Sequence, residues 1–390
     1  MTAEAGERDG SKAPSPYDVT VEARAAADSA ARSVGMPVES SAPPRPAFAL
    51  LQSEWWARVR LKQGWARFAH GAGSGDRLVD ESTAPDAVAP LVLARRIGPL
   101  RFAYAPHAFA ASPSRNLYAA VETLLRIGGE SQNAKPHLIR WDVPWTVDAF
   151  DRDEARRLGL VPSARVQPPD TVVIDLLPEE DVLLKGMKSK TRYNVRLAAK
   201  KGVVVMRAVD GAATAAVPEW YRLYRETAQR DRIAIHPERY YRDVVGTAVA
   251  MREAGESAPS VAIYSARHED DLLAGIVVVS WGGMSTYLYG ASSDRKRNLM
   301  ASYLVQWEAM RAARLAGDTA YDLFGIPPSN DPRHPMHGLY RFKTGFGGRV
   351  VHRPGCWDLS PSPFRSSLFR AAERGRAWYH HGLRKRAGRV

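Results

Sequence analysis

The chain has 390 residues, with 55 Lys and Arg against 42 Asp and Glu, a formal net charge of +13; the length suits two or three domains, and the excess cation draws polyanions such as nucleic acid, nucleotide-linked substrates or an anionic membrane surface. Hydrophobic residues make up 45%, enough for ordinary buried cores, and the single cysteine, Cys356, excludes a disulfide framework and a multi-cysteine zinc site. No apolar run approaches the ~20 residues of a membrane helix, and the N-terminus lacks the apolar stretch of a signal peptide, so a cytoplasmic protein is expected.

Residues 1–45, rich in Ala, Ser, Pro, Gly and charge, end in "SSAPPRP". They carry too little apolar area to offset their ordering entropy, and a disordered segment is expected. Order begins at "AFALLQSEWWARVRLKQGW", where Leu51, Trp55 or Trp56, and Val59 recur at helical spacing. "ARFAHGAGSGDRLV" reads as two strands about a loop with Gly71, Gly73 and Gly75; no helix follows, so the glycines suit a hairpin turn rather than a phosphate cradle. "LVLARRIGPLRFAYAPHAF" adds two strands, and "LGLVPSARVQPPD", interrupted by Pro162, Pro168 and Pro169, reads as a linker. Then follow the strand "TVVIDL", one helix over "PEEDVLLKGMKSKTRYNVRLAAKKG", the strand "VVVMRAV" and a helix near "VPEWYRLYRETAQR". The strands "SVAIYSAR", "LLAGIVVVSW" and "MSTYLYGAS" precede an amphipathic helix, "MASYLVQWEAMRAARLAG", which closes at Gly317 before the strand "TAYDLFGI". "GLYRFKTGFGGRVVHRPGCWDL" reads as a glycine-rich loop opening a strand at "RVV". This order, β-α-β-α-β-β-β-α-β in the second half, predicts two α/β lobes.

Several groups could carry chemistry. Lys185, Lys188, Lys190, Arg192, Arg196, Lys200 and Lys201 fall within 17 positions that hold no acid. Like charges on a helix repel unless an anion neutralises them, so the pattern points to phosphate or nucleic acid rather than a merely solvated face. "YGASSDRKRNLMASYLVQWEAM" is strand, loop and helix, the place where acyl-CoA-dependent N-acetyltransferases offer backbone N–H groups to a pyrophosphate. Here the loop has no glycine after Gly290 but keeps Arg295, Lys296 and Arg297. It suits an acyltransferase-like lobe that does not bind CoA in the usual way. His334 and His337 lack a third ligand at metal spacing and read as part of a proline-rich loop, and Cys356 beside Trp357 reads as packing.

Taken together, "QSEWWARVRLKQGW", "YAPHAF", "KSKTRYNVRLAAKKGVVV", "YLYGASSDRKRNLMASYLVQWEAM", "AYDLFGI" and "GLYRFKTGFGGRVVHRPGCWDL" resemble the FemABX family of peptidoglycan-bridge aminoacyltransferases, over about residues 46–360. The resemblance implies an α/β (α+β) fold of two acetyltransferase (GNAT)-like lobes with a cleft between them. The lobes would span 46–168 and 169–345, closing strands over 346–363 would return to the first lobe, and 364–390 would form a basic tail. It implies transfer of an amino acid from aminoacyl-tRNA, as co-substrate and with no other cofactor, to an amine of a UDP-linked or lipid-linked muramyl pentapeptide. The family's lysine in its "FK" motif corresponds to Lys343, with Phe342 beside it. Its precursor contacts correspond to Arg60, Trp65, Tyr104 and Tyr289, and its Thr/Arg contacts to the precursor diphosphate to Thr191 and Arg192. The sequence departs from the pattern at "PHAF", where members often have "PRGP", and at Arg60, where a lysine is usual.

An aminoacyl ester is already activated, so a neutral amine can attack its carbonyl directly, and a cation shielded from water at the developing oxyanion is worth ~100- to 1000-fold in rate. Lys343 is the candidate cation, its glycines letting the backbone pass close to substrate. Two other readings stand beside this one: a related N-acyltransferase using acyl-CoA or another donor, and a non-enzymatic nucleic-acid-binding protein suggested by charge. The tail carries eight Lys/Arg against Glu373 between residues 364 and 390, with Phe364, Leu368, Phe369, Trp378 and Tyr379 as apolar anchors. It suits peripheral contact with an anionic inner membrane face.

Overall fold

The computed structural model describes residues 47–68, 90–98, 100–109, 116–130 and 135–360, with positions 367, 369, 371 and 373 beyond. The N-terminal segment 1–45, the loop with Gly71, Gly73 and Gly75, and most of the basic tail lie outside the described residues.

A 3-10 turn over Ala47–Gln52 leads into α1 (Glu54–Lys62), whose N-cap Ser53 accepts from the Trp56 amide at 3.2 Å. There follow β1 (Ala66–Arg67), β2 (Leu93–Ile97), β3 (Leu100–Pro106), α2 (Leu117–Glu130), β4 (Leu138–Asp142), α3 (Arg152–Arg157) and β5 (Val161–Pro162). The second half contains β6 (Asp170–Asp175), α4 (Glu180–Gly186), α5 (Ser189–Lys200), β7 (Val204–Val209), α6 (Asp210–Asp231) and α7 (Glu238–Glu253). It continues with β8 (Ser260–His268), β9 (Asp271–Trp281), β10 (Met284–Ser292), α8 (Ala301–Leu315), β11 (Ala320–Asp322), α9 (His337–Lys343), β12 (Arg349–His352) and β13 (Cys356–Leu359).

The strands form two sheets, ordered β1-β2-β3-β4-β13-β5 and β12-β6-β11-β10-β9-β8-β7. Each sheet has one parallel pair joined by a crossover helix: β3–α2–β4 in the first, β10–α8–β11 in the second. The protein is thus a mixed α/β chain of two lobes, each built on one sheet. In the second lobe α5 and α8 cover one face of the sheet, and α6 and α7 the other. In the first, Trp141, Trp145, Phe150 and Trp357 pack together with α2 on one face.

Four boundaries differ from the expectations. Helix α1 packs on the second lobe rather than the first: Trp55, Trp56 and Val59 join the cluster of α6 and α7, and Trp55 Nε1 donates to the Val244 carbonyl at 3.0 Å. The closing segment splits, because β12 pairs with β6 in the second sheet and only β13 returns to the first, beside β4. The presumed linker contributes β5, with Pro162 on the sheet edge, where a missing N–H removes no ladder bond. The single basic helix is two, α4 and α5, broken at Met187 and Lys188, which are extended; there the Lys188 amide donates to the Gly345 carbonyl at 2.9 Å instead of continuing a helix. Helices α2, α3 and α7 and strand β4 were not anticipated.

The start of the tail packs on the first lobe. Phe369 stacks on Phe102 with ring centroids 5.4 Å apart, and Glu373 bonds Arg140. Phe369 is therefore buried against protein and is not a lipid anchor. Arg140 also forks onto Asp358, Nε and Nη2 donating at 2.8 and 3.0 Å. Burial opposes the Arg140 charge, but Glu373 and Asp358 outweigh it and its pKa is raised.

Candidate active site

Lys343 is not in a loop; it is the last residue of α9, followed by a 3-10 turn over Thr344–Phe346. The glycines after it also serve another purpose than the one expected. Gly347 and Gly348 have φ of 89° and 78°, which a side chain would strain. A Cβ on Gly348 would lie 2.5 Å from the Val173 carbonyl oxygen, and one on Gly347 2.9 Å from that of Gly186. They let the turn close on β6 and on the end of α4, not on a substrate.

The Lys343 side chain points inward and is 6% exposed. Nζ donates to the carbonyls of Phe324 (2.8 Å) and Gly325 (3.0 Å), just past the end of β11, and lies 4.9 Å from the Tyr287 ring centroid. Burial pulls its pKa down to about 7, opposed by the Asp322 carboxylate. Asp322 is itself held: its Oδ1 accepts from the Phe324 amide at 2.7 Å and from the Thr171 hydroxyl. An ammonium has three donors; two are used on neutral carbonyls, so the charge is solvated by dipoles without being cancelled by a contacting anion.

The neighbours named with Lys343 behave differently. Phe342 turns into the core, 5.1 Å from Tyr303 and 5.2 Å from Phe346 between ring centroids, and so supports the turn rather than the chemistry. Thr191 is buried against Gly345. Arg192 Nη1 donates to the carbonyls of Leu184, Lys185 and Met187 at 3.1–3.2 Å, capping α4 instead of presenting its fork to a diphosphate.

Arg60, Trp65, Tyr104 and Tyr289 come together on the other side of the lobe junction. The Arg60 guanidinium lies 4.9 Å from the Trp65 ring centroid and 5.5 Å from that of Trp56. Trp65 lies 6.1 Å from Tyr104 between centroids. Tyr104 is fully buried, and its hydroxyl donates to Asp142 Oδ2 at 2.9 Å, so it forms a wall and not an exposed contact. Burial lifts the Asp142 pKa to about 6. Tyr289 shares a 3.0 Å hydroxyl bond with Tyr240, on which His236 stacks at 4.1 Å, and burial raises the Tyr289 pKa. Sequence reading missed Tyr240 and His236, which lie at and just before the start of the unanticipated α7.

Between these two groups lies a small cavity of about 20 Å³. Leu50, Leu51 and His107 line it from the N-terminal half, Thr286, Leu288, Asp322 and Phe324 from the second sheet, and Arg353 from the connection between β12 and β13. β10 bulges at its centre, where the register shifts between Tyr287 and Tyr289. His107, in the "PHAF" loop, is buried, and burial with the nearby Arg353 charge pushes its pKa well down. His107 and Arg353 gave no sequence signal because their partners are far along the chain.

The loop before α8 carries its own acidic partners. Glu226 Oε1 accepts from the Asp294 amide at 3.0 Å and the Ser293 hydroxyl at 2.8 Å. Arg295 pairs with Asp271, Lys296 with Glu269 and Asp271, and Arg297 with Asp294. Lys296 and Met300 both adopt left-handed backbone, with φ of 47° and 56°. The Asp294 and Arg295 amides and the three loop cations already have partners. Among the described residues, no group of three His, Cys, Asp or Glu converges as a metal site, and no helix is long and apolar enough to cross a membrane.

Each lobe has a helix-bridged parallel strand pair, and the second buries Lys343 beside the end of β11; the family and relatives this chain matches make it an enzyme of the transferase class. The sequence profile described as the FemAB family matches residues 160–247 and 257–374. The chain belongs to the FemAB family. It is 24% identical over 375 residues to the lipid II:glycine glycyltransferase of Staphylococcus saprophyticus, covering 79% of this chain and 87% of that protein. A lipid II:glycine glycyltransferase of Staphylococcus epidermidis is 35% identical over 86 residues, 22% of this chain and 21% of its own length. The crystal structure of FemX superposes with a TM-score of 0.64 at 19% identity, covering 82% of this chain and 93% of that one.

Proposed function

We propose that the protein transfers an amino acid from aminoacyl-tRNA to an amine of the stem peptide of a lipid-linked peptidoglycan precursor, building an interpeptide bridge. Relatives named lipid II:glycine glycyltransferase support the acceptor class. The observation that carries the chemistry is the Lys343 ammonium, sealed at the lobe junction against two backbone carbonyls. The acceptor amine adds to the ester carbonyl carbon, the C–N bond forms, and the ester C–O bond breaks. The amine gives up a proton, and the ribose oxygen of the tRNA leaves with one. Charge collects on the carbonyl oxygen in between, and Lys343 is the cation assigned to it. Low surrounding polarity makes that cation worth more than it would be in water. Arg60 and Trp65 form the cationic and aromatic wall assigned to the precursor.

The acyl-CoA reading is disfavoured by the loop before α8, where Glu226 takes the Asp294 amide and the Ser293 hydroxyl and each of Arg295, Lys296 and Arg297 is ion-paired. The purely nucleic-acid-binding reading leaves the buried Lys343 without a role. The deciding experiment incubates the protein with charged tRNAs and either UDP-linked or lipid-linked precursor, and weighs the product. A mass gain of one aminoacyl residue that depends on the charged tRNA is the expected result. No gain with any charged tRNA, together with turnover of acyl-CoA, overturns the proposal.

A further inference from the structure

The reaction proposed above assigns no role to the exposed cations of α5. Thr191, Asn194, Val195 and Ala198 form the buried face of this helix. At ~100° per residue, Lys190, Tyr193, Arg196 and Lys200 fall within about a third of the opposite circumference, a stripe about 15 Å long. All four are exposed, Tyr193 by 62%. Some cations elsewhere on the surface are ion-paired, Arg58 with Glu256, Arg242 with Glu238, Arg252 with Asp210 and Arg311 with Glu180; others, such as Arg152 and Arg225, are exposed and in no ion pair among the described residues, and α5 differs in aligning several cations along one face without an acid among them. Among the described residues, Lys190, Arg196 and Lys200 are in no ion pair, and neither is Lys185 before the helix or Lys201 at its end.

The stripe starts beside the reaction centre. At the head of α5, the Lys188 amide donates to the Gly345 carbonyl at 2.9 Å, and Lys188 Nζ donates to the Thr344 hydroxyl at 3.3 Å. Thr344 follows Lys343 directly. A polyanion lying along α5 therefore has one end at the turn that carries the catalytic lysine.

We propose that this stripe of α5 is the docking face for the RNA of the aminoacyl donor, its cations tracking the phosphates and Tyr193 offering a stacking platform for an unpaired base near the acceptor end. The inference rests on the tRNA-dependent reading above. Spaced cations with one exposed aromatic ring suit single-stranded nucleic acid, where stacking and phosphate contacts act together. A membrane surface fits less well, because an interfacial helix inserts an apolar face, and the apolar face of α5 is already in the core.

The test measures binding of uncharged tRNA by fluorescence anisotropy across a salt series, for the full chain and for a variant carrying Lys190→Gln, Arg196→Gln and Lys200→Gln. The variant is expected to bind tRNA at least ~10-fold more weakly, and the slope of log affinity against log salt is expected to flatten by about 2, for three lost phosphate contacts. Tyr193→Ala is expected to weaken binding on the order of tenfold with an unchanged salt slope. An unchanged melting temperature confirms that both variants fold, as expected for exposed positions. Equal tRNA affinity and slope in parent and triple variant overturn the docking face while leaving tRNA-dependent transfer standing. No tRNA binding by the parent overturns the docking face and the donor assignment together. Loss of binding to phosphatidylglycerol vesicles with tRNA binding intact overturns the proposal in favour of a membrane face.

Discussion

The two lobes share a helix-bridged parallel strand pair but treat buried charge in opposite ways. In the first lobe Arg140, on the central strand β4, faces two carboxylates, Asp358 and Glu373, and its pKa is raised. In the second lobe Lys343 faces two neutral carbonyls, and its pKa falls to about 7. A buried cation matched by anions is a structural clasp; one solvated only by dipoles keeps an unsatisfied field that a developing oxyanion can answer. The lobes also differ in what completes them. The second sheet is assembled from residues 170–352, whereas the first needs β13 and, packed on it, Phe369 and Glu373 from the chain's end. Arg140 is where that end is fastened.

The largest expected effect breaks the clasp. Arg140→Ala strands the Asp358 carboxylate in the core and should cost about 3–5 kcal/mol, read as a lowered thermal midpoint. Hydrogen exchange should accelerate in β4 and β13 before it does in β8 and β9; uniform acceleration in both sheets would mean the lobes do not differ as described. Lys343→Ala should fold and lose ~100- to 1000-fold in single-turnover transfer. Equal rates for variant and parent would remove Lys343 from the chemistry.

Gly348→Ala sharpens the view of the glycines. Its Cβ would press on the Val173 carbonyl oxygen at a φ of 78°, and a loss of about 1–3 kcal/mol of stability is expected by denaturant titration. A neutral result would return those glycines to a substrate-facing role. The smallest effects are pH slopes. Asp142, raised to about 6 by burial, holds its proton in the folded state at pH values where the unfolded chain has released it. Its contribution to stability therefore declines as pH rises from near 4 to about 6, and Asp142→Asn should flatten that decline. Lys343 acts in the other direction. Between about pH 7 and the ordinary lysine range the unfolded chain binds the extra proton, so stability rises with pH there, and Lys343→Ala should abolish the rise.

Much of the second lobe was legible because its elements are local. Strand runs such as "LLAGIVVVSW" and the periodicity of α8 announce themselves within 11 to 18 residues. Helix α7 was missed although its buried Tyr240, Tyr241, Val244, Val245 and Ala248 recur at helical spacing; Gly246 interrupts the run. For the site, the "FK" motif draws attention to Lys343, but what Phe342, Thr191 and Arg192 touch was not legible. Their partners, Tyr303, Gly345 and the carbonyls at the end of α4, depend on how the helices pack.

Most strands of the second lobe, the unbalanced cations between residues 185 and 201, and a lysine among glycines are written in the sequence alone, because propensity, charge and spacing act over a few residues. Only the tertiary structure decided that Lys343 turns inward, that α1 crosses to the second lobe, and that β13 and the chain's end finish the first. Those choices depend on burial and on contacts between residues up to 233 positions apart, as between Arg140 and Glu373, and no local pattern encodes which distant carboxylate or carbonyl a buried cation will meet.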